Sequence, residues 1–99
     1  MDKLKINWTR KAYLQYVSIA EWYAKNVCLK AASSFVSGIS DTVHKIAKYP
    51  TIGAVDYKRS SKKHEYRSYL SHPKYRIVYR VTKDTIIIAA IHSNLKNDN

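Results

Sequence analysis

Tyr66-Arg67-Ser68-Tyr69-Leu70, a His72-Pro73-Lys74 break, Tyr75-Arg76-Ile77-Val78-Tyr79-Arg80-Val81, a Lys83-Asp84 break and Ile86-Ile87-Ile88-Ala89-Ala90-Ile91-His92 follow one another in the last third of the chain. The three longer runs are rich in β-branched and aromatic residues and are bounded by turn formers, so they read as consecutive antiparallel strands. Strand side chains alternate between faces. In the middle run this puts Tyr75, Ile77, Tyr79 and Val81 on one face and Arg76, Val78 and Arg80 on the other. The first set reads as core. Arg76 and Arg80 then share a face where their mutual repulsion calls for water or an anion, and that face is the candidate working surface.

Outward from this sheet, Leu4, Ile6 and Trp8 alternate with Lys3, Lys5 and Asn7, which predicts a half-buried N-terminal strand with a basic outer face. Thr9 is placed to stop it and to cap a helix with its hydroxyl. An apolar stripe at Tyr13, Tyr16, Val17, Ala20, Tyr23, Ala24 and Val27 predicts that helix, ending near Asn26. A second stripe at Ala32, Phe35, Val36, Ile39, Val43, Ile46 and Ala47 predicts another from about Leu29 to Tyr49. Gly38 inside it marks either a kink or the close approach of another backbone. Pro50 ends the helix, with Lys45 and Lys48 complementing its dipole. Thr51 to Asp56 reads as a loop, and Tyr57 to Glu65, carrying Lys58, Arg59, Lys62, Lys63 and His64 around Ser60-Ser61, as an exposed and mobile tract. The order is β-α-α-β-β-β: an α+β domain spanning 1–99, with the N-terminal strand and a helix hairpin on one face of a mainly antiparallel sheet.

The 99 residues suffice for one modest core. A formal charge of +11 favours a polyanionic partner: nucleic acid or an acidic protein segment. A membrane is disfavoured, because the run from Ile86 to Ile91 is far too short to span one. The charged start, Met1-Asp2-Lys3-Leu4-Lys5-Ile6, does not fit an export signal, and the single Cys28 forms no internal disulfide, so a cytoplasmic protein is expected.

Motifs for nucleotide hydrolysis, hydride transfer or zinc chemistry are missing from the sequence, and neither metal nor cofactor is expected. What remains is a constellation of Lys58, Arg59, Lys62, Lys63, Arg67, Lys74, Arg76 and Arg80 interleaved with tyrosines. Cations hold phosphates and aromatic rings stack on unpaired bases, which suits splayed RNA; the bland reading is that the lysines of 58–63 only solubilise a loop. Cleavage of RNA by its own 2′-OH needs a base, an acid and cations. Arg76 is the cation, and His72, His92, Tyr79 or Glu65 would have to move protons. If Lys83-Asp84 is a two-residue hairpin loop, Thr82 faces Thr85 and His92 falls beside Tyr75, on the core face. A bulge would reverse that.

The phrases Tyr75–Val81 and Asp84–His92, Trp8 leading into the first helix, and Tyr49-Pro50 with Gly53 after the second occur in an order that resembles the RelE/ParE superfamily, toxins of bacterial type II toxin–antitoxin systems. The resemblance implies a small basic toxin neutralised by an acidic antitoxin from an adjacent gene. One branch cleaves messenger RNA in the ribosome without metal; the other blocks DNA gyrase and is not a nuclease. Arg76 matches the strand arginine that helps hold the scissile phosphate in the nucleases. Those enzymes follow the last strand with a further arginine and a tyrosine or His-Tyr pair. Here Leu95 stands near the arginine position, Lys96 lacks the planar fork, and no tyrosine follows.

The expected function is therefore growth arrest through translation or gyrase. The narrower alternative is a ribosome-dependent endoribonuclease, and a further one is a non-toxic basic nucleic-acid-binding module. Arg76, His92 and Tyr79 are the candidate catalytic residues. Lys58, Arg59, Lys62, Lys63, Arg67, Lys74 and Arg80 are the candidates for binding nucleic acid or antitoxin.

Overall fold

Thr9 ends one strand and begins a helix with the same side chain. Its backbone is extended, and its Oγ1 accepts a hydrogen bond from the Ala12 amide at 3.1 Å, satisfying one of the free N–H groups of the first helical turn. The computed structural model describes residues 3–72 and 74–93. In chain order its elements are β1 (Lys5–Trp8), α1 (Arg10–Asn26), α2 (Leu29–Lys48), β2 (Ala54–Val55), β3 (Tyr66–His72), β4 (Tyr75–Val81) and β5 (Thr85–Ser93). Pro73 and the C-terminal Leu95 and Lys96 lie outside the described residues. The two-residue β2, inside the stretch expected to be a loop, is the one element the sequence did not suggest.

The sheet order is β1-β5-β4-β3-β2. β1 runs parallel to β5, while β2, β3, β4 and β5 pair antiparallel in sequence. Both helices lie on one face. Phe35, Ile39, Val43, Ile46 and Ala47 of α2 meet Tyr75, Ile77, Tyr79, Ile86, Ile88 and Ile91 of the two central strands. Phe35 is the hub of an aromatic cluster at the helix–sheet junction, with the rings of Tyr16, Tyr23 and Tyr75 at centroid separations of 5.1–6.0 Å from it, where tilted and edge contacts suit their quadrupoles. Three stripe residues depart from the expectation. Tyr13 and Val27 are exposed, and Val81 is half out at the strand end, because the sheet is not wide or long enough to reach them. Among the described residues no helix is long and apolar enough to cross a membrane.

One irregularity changes the whole of β5. The β3–β4 and β4–β5 connections are short, and Thr82 donates its amide to Thr85 O at 2.8 Å, as a two-residue hairpin loop requires. Val81 then faces Ile86, Arg80 faces Ile87 and Tyr79 faces Ile88. Val78, however, faces Ala90. Ala89 is the extra residue of a β-bulge, and every side chain beyond it is moved to the other face. His92 consequently pairs with Arg76 and not with Tyr75. This corrects the unbulged register. The bulge has a partner: Thr9 Oγ1 donates to Ala89 O at 3.2 Å, and the side-chain oxygen of Gln15 accepts from the Ile91 amide at 2.9 Å. β1 stops at Trp8, so these two α1-end groups take over the hydrogen-bonding edge of β5 that β1 no longer covers.

The two glycines play opposite parts. α2 runs through Gly38 as one helix, and a Cβ there would meet nothing within 4 Å, so the close approach of another backbone does not account for it. At Gly53 a Cβ would lie 2.7 Å from the Tyr79 hydroxyl and 2.8 Å from Ser68 O. The Tyr79 O–H donates to Pro50 O at 2.8 Å and accepts from the Gly53 amide at 2.9 Å, so this core tyrosine pins the 50–53 turn directly against itself. Gly38→Ala is therefore expected to stabilise the fold by roughly 0.5–1 kcal/mol, and Gly53→Ala to destabilise it by roughly 1–3 kcal/mol. Urea midpoints of the two variants, moving in opposite directions at unchanged slope, are the check.

Candidate functional site

On the face away from the helices the register builds three cross-strand rungs. The outer ones are Leu70–Arg76–His92 and Tyr66–Arg80–Ile87; between them lies Ser68–Val78–Ala90. The middle rung is a floor of small side chains, with Ser68 at 8%, Val78 at 1% and Ala90 at 3% exposure. The face is thus basic, as the alternation predicts, but not bare. Arg76 turns over the floor to donate to Ser68 Oγ at 3.3 Å. Neither Arg76 nor Arg80 forms an ion pair with a carboxylate among the described residues. Strand backbone fixes both stems, and the shared pleat keeps both charges on one side.

The tract after β2, expected to be exposed and mobile, is exposed but closed by its own hydrogen bonds. Asp56 Oδ1 accepts from the amides of Lys58 and Arg59, and its Oδ2 from Arg59 Nη1 at 2.8 Å. Such Asx-type turns follow from a carboxylate placed two residues ahead of free amides. Ser60 Oγ donates to Asp56 O at 2.7 Å and accepts from the Tyr66 amide at 2.8 Å. Ser61 Oγ accepts from the amides of Lys63 and His64. The outcome is a folded arm that aims Arg59 across β3 and β4, where its Nη2 donates to His92 Nε2.

This arrangement sets two titrations. His92 is shifted below the ordinary imidazole range, first by burial and then by the positive charges of Arg59 and Lys11, with Asp56 opposing weakly. For Asp56, burial raises the pKa. The hydrogen bonds and charge of Arg59 and the Lys58 amide outweigh it, and the net direction is down. The neighbouring guanidinium of Arg59, next to His92 Nε2, thus disfavours the protonated ring.

The sequence candidates separate into groups. Arg76, Arg59 and His92 come together at one end of the basic face, and Arg80 stands two rungs away on the same face. Tyr79 does not: it is 0% exposed on the helix side, its hydroxyl shifted upward by burial, and it serves the 50–53 turn. Arg67 pairs with Tyr79 in register, donates from Nη1 to Gly53 O at 2.7 Å and lies 3.5 Å from Glu65, which makes it a strut for the same turn. Lys58, Lys62 and Lys63 are exposed along the arm, and Lys74 sits by the β3–β4 connection beside Tyr23 and Phe35. Sequence reasoning missed Asp56, Ser68 and Lys11. Asp56 was the findable one, since Asp-Tyr-Lys-Arg is a turn-forming sequence. Among the described residues no group of three or more His, Cys, Asp or Glu is placed to hold a metal ion.

A helix hairpin laid on one face of a five-stranded sheet, with strand-borne arginines on the other, is the architecture of a small toxin of the ParE/RelE class. The family model for the ParE toxin of the type II toxin–antitoxin system parDE matches residues 6–96, and the chain belongs to that family. In solved structures, the chromosomal ParDE system of P. aeruginosa shares the fold at a TM-score of 0.74 and 22% identity, over 92% of this chain and 96% of that one. A conserved hypothetical protein of Helicobacter pylori overlaps more loosely, at a TM-score of 0.49 and 15% identity, over 93% of this chain and 96% of that one. Comparison with curated proteins gives no match.

The lowered His92 pKa carries a stability consequence. Above pH 6.5, the ordinary histidine value, the ring is neutral in both the folded and unfolded chain. As pH falls below that, the unfolded chain takes up the proton first and stability is lost until the folded ring is protonated too. His92→Gln should flatten this part of the stability profile relative to the parent chain. Urea unfolding at a series of pH values below 6.5 measures the difference, and parallel profiles would contradict the assignment.

Proposed function

We propose that this ParE-family chain arrests growth by binding and blocking DNA gyrase in the cytoplasm, and that a cognate acidic antitoxin neutralises it. The observation that carries the choice of inhibitor over nuclease is the state of the proton-transfer candidates. Metal-independent RNA cleavage needs a base and an acid within reach of the scissile phosphate. Tyr79 is enclosed in the core, Glu65 lies 3.5 Å from the Arg67 guanidinium, and Arg59 donates to His92 Nε2, while the side chain of His72 lies outside the described residues. What the face offers is positive charge on a rigid support, which binds without performing chemistry. The family match to ParE supports the same branch.

On this reading Arg76 and Arg80 meet acidic groups of the target, and the flanking Tyr66, Leu70 and Ile87 supply apolar area around them. Charge complementarity of this kind steers association and discriminates against wrong partners. The antitoxin would offer an acidic segment to this basic chain, so co-expression is expected to raise its solubility over expression alone.

The test pairs two assays on the purified chain. Gyrase supercoiling should be inhibited while ribosome-bound messenger RNA stays intact. Arg76→Ala, which removes one charge-assisted contact, should weaken inhibition by roughly 10–100-fold with the fold retained. Cleaved message together with unimpaired supercoiling would return the protein to the nuclease branch. Salt-dependent nucleic-acid binding with neither effect would leave only a binding module.

A further inference from the structure

On the helix side of the sheet, away from the basic face, the chain leaves a cavity of about 370 Å³ between the later half of α1, the first half of α2 and the β3–β4 connection. The rings of Tyr23, Phe35 and Tyr75 form its walls with Ile39, and Ser34, Ser71 and Lys74 contribute polar groups. We propose that this cavity binds a small aromatic carboxylate, a ring system larger than benzene carrying a short acidic arm. The proposal does not rest on gyrase being the target.

The aromatic walls are already in place. The Phe35 ring centroid lies 5.7 Å from that of Tyr23 and 5.1 Å from that of Tyr75, and the two tyrosine rings stand 6.5 Å apart at 71°. A 3.0 Å hydrogen bond between the Tyr23 and Tyr75 hydroxyls ties α1 to β4. Rings fixed at such angles present both faces and edges to a ligand ring, and little side-chain freedom is left to lose on binding. Gly38 keeps the space open. It sits in the interior of α2, where glycine is the poorest helix former short of proline, and a Cβ there would meet nothing within 4 Å. Ala31, Phe35, Gly38 and Ile39 recur at i, i+4, i+7 and i+8, so they share the face of α2 that lines the cavity. A larger side chain at 38 would suit the helix and take up the ligand's room, which gives a reason for a glycine that no close backbone explains.

Volume and charge select the ligand. An apolar cavity of roughly 150 Å³ is enough for benzene, and pockets for small molecules begin at roughly 300 Å³. The present cavity therefore takes more than one simple ring. None of its lining residues is acidic, and Lys74 is the one that carries a charge. The Ser71 hydroxyl is engaged with Thr42 Oγ1 at 2.7 Å, and Thr42 Oγ1 donates in turn to Gly38 O at 2.9 Å. Ser34 and Lys74 are donors for the oxygens of a ligand. A carboxylate is matched by this set and by the chain's formal charge of +11, and an ammonium group is not.

The experiment is an amide-resolved titration of the full chain with naphthylacetate, naphthylmethylamine and N-acetyltryptophanamide, the last standing for an aromatic side chain on a partner protein. Naphthylacetate should bind saturably with a Kd on the order of 1 mM or tighter. Its shifts should centre on residues 23, 31–39, 71, 74 and 75, with Overhauser contacts from its ring protons to Phe35 and Tyr75. The amine and the amide should each bind roughly tenfold more weakly. Gly38→Leu should keep the fold and abolish saturable binding, Lys74→Gln should weaken it roughly tenfold, and Arg76→Gln should leave it unchanged. Linear shifts, shifts centred on Arg76 and His92, equal binding of the amine or the amide, or undiminished binding by Gly38→Leu would overturn the assignment. The Overhauser contacts place the ligand in the parent chain, so the test holds even where a variant is perturbed. Gyrase inhibition that persists while naphthylacetate binding fails would sink this site and leave the proposed function standing.

Discussion

The structure hangs on how the edge of β5 is satisfied beyond the end of β1. β1 covers that edge only as far as Ile88. Past it, backbone groups would face the start of α1 without partners, and an unpaired buried backbone group costs about as much as a lost hydrogen bond. Thr9 Oγ1 and the Gln15 side chain take up the slack at Ala89 O and the Ile91 amide. Because Thr9 also caps α1, the start of the helix and the bulge in the strand are held by one hydroxyl. The bulge in turn determines the face on which His92 stands, and with it the composition of the basic site.

Much of this was legible in the sequence. The three C-terminal strands, the helix boundaries near Thr9, Asn26 and Pro50, and the core stripe of α2 followed from periodicity and capping, which are local properties. The bulge was not, for a physical reason. Ile86 to Ile91 is apolar throughout, so within that run neither register is disfavoured by a buried polar side chain, and the group that stabilises the bulge lies eighty residues earlier at Thr9. Gly53 is similar: its need for a bare Cα comes from Tyr79, distant in sequence and adjacent in space. The arm from Asp56 to His64 is exposed as its lysines suggest, and the turns formed by Asp56, Ser60 and Ser61 are the part that its lysine-rich appearance hides.

The basic face is held together by contacts that fix charged groups in place. A floor of buried small residues lets Arg76 lie across it, Arg59 is brought in by its own Asx-type turn, and His92 accepts from Arg59 where a proton shuttle would need an open lone pair. Every part fixes a positive group in place. That division, charges outside and Tyr79 inside, is what connects the bulged register to the inhibitor reading proposed above.

The most direct test is the β4–β5 register in solution, read from cross-strand nuclear Overhauser contacts between backbone protons in isotope-labelled protein. Contacts joining Arg76 to His92 and Val78 to Ala90 are the predicted result. Contacts joining Tyr75 to His92 and Ile77 to Ala90 would contradict it, because they would remove the bulge, return His92 to the core and dissolve the site.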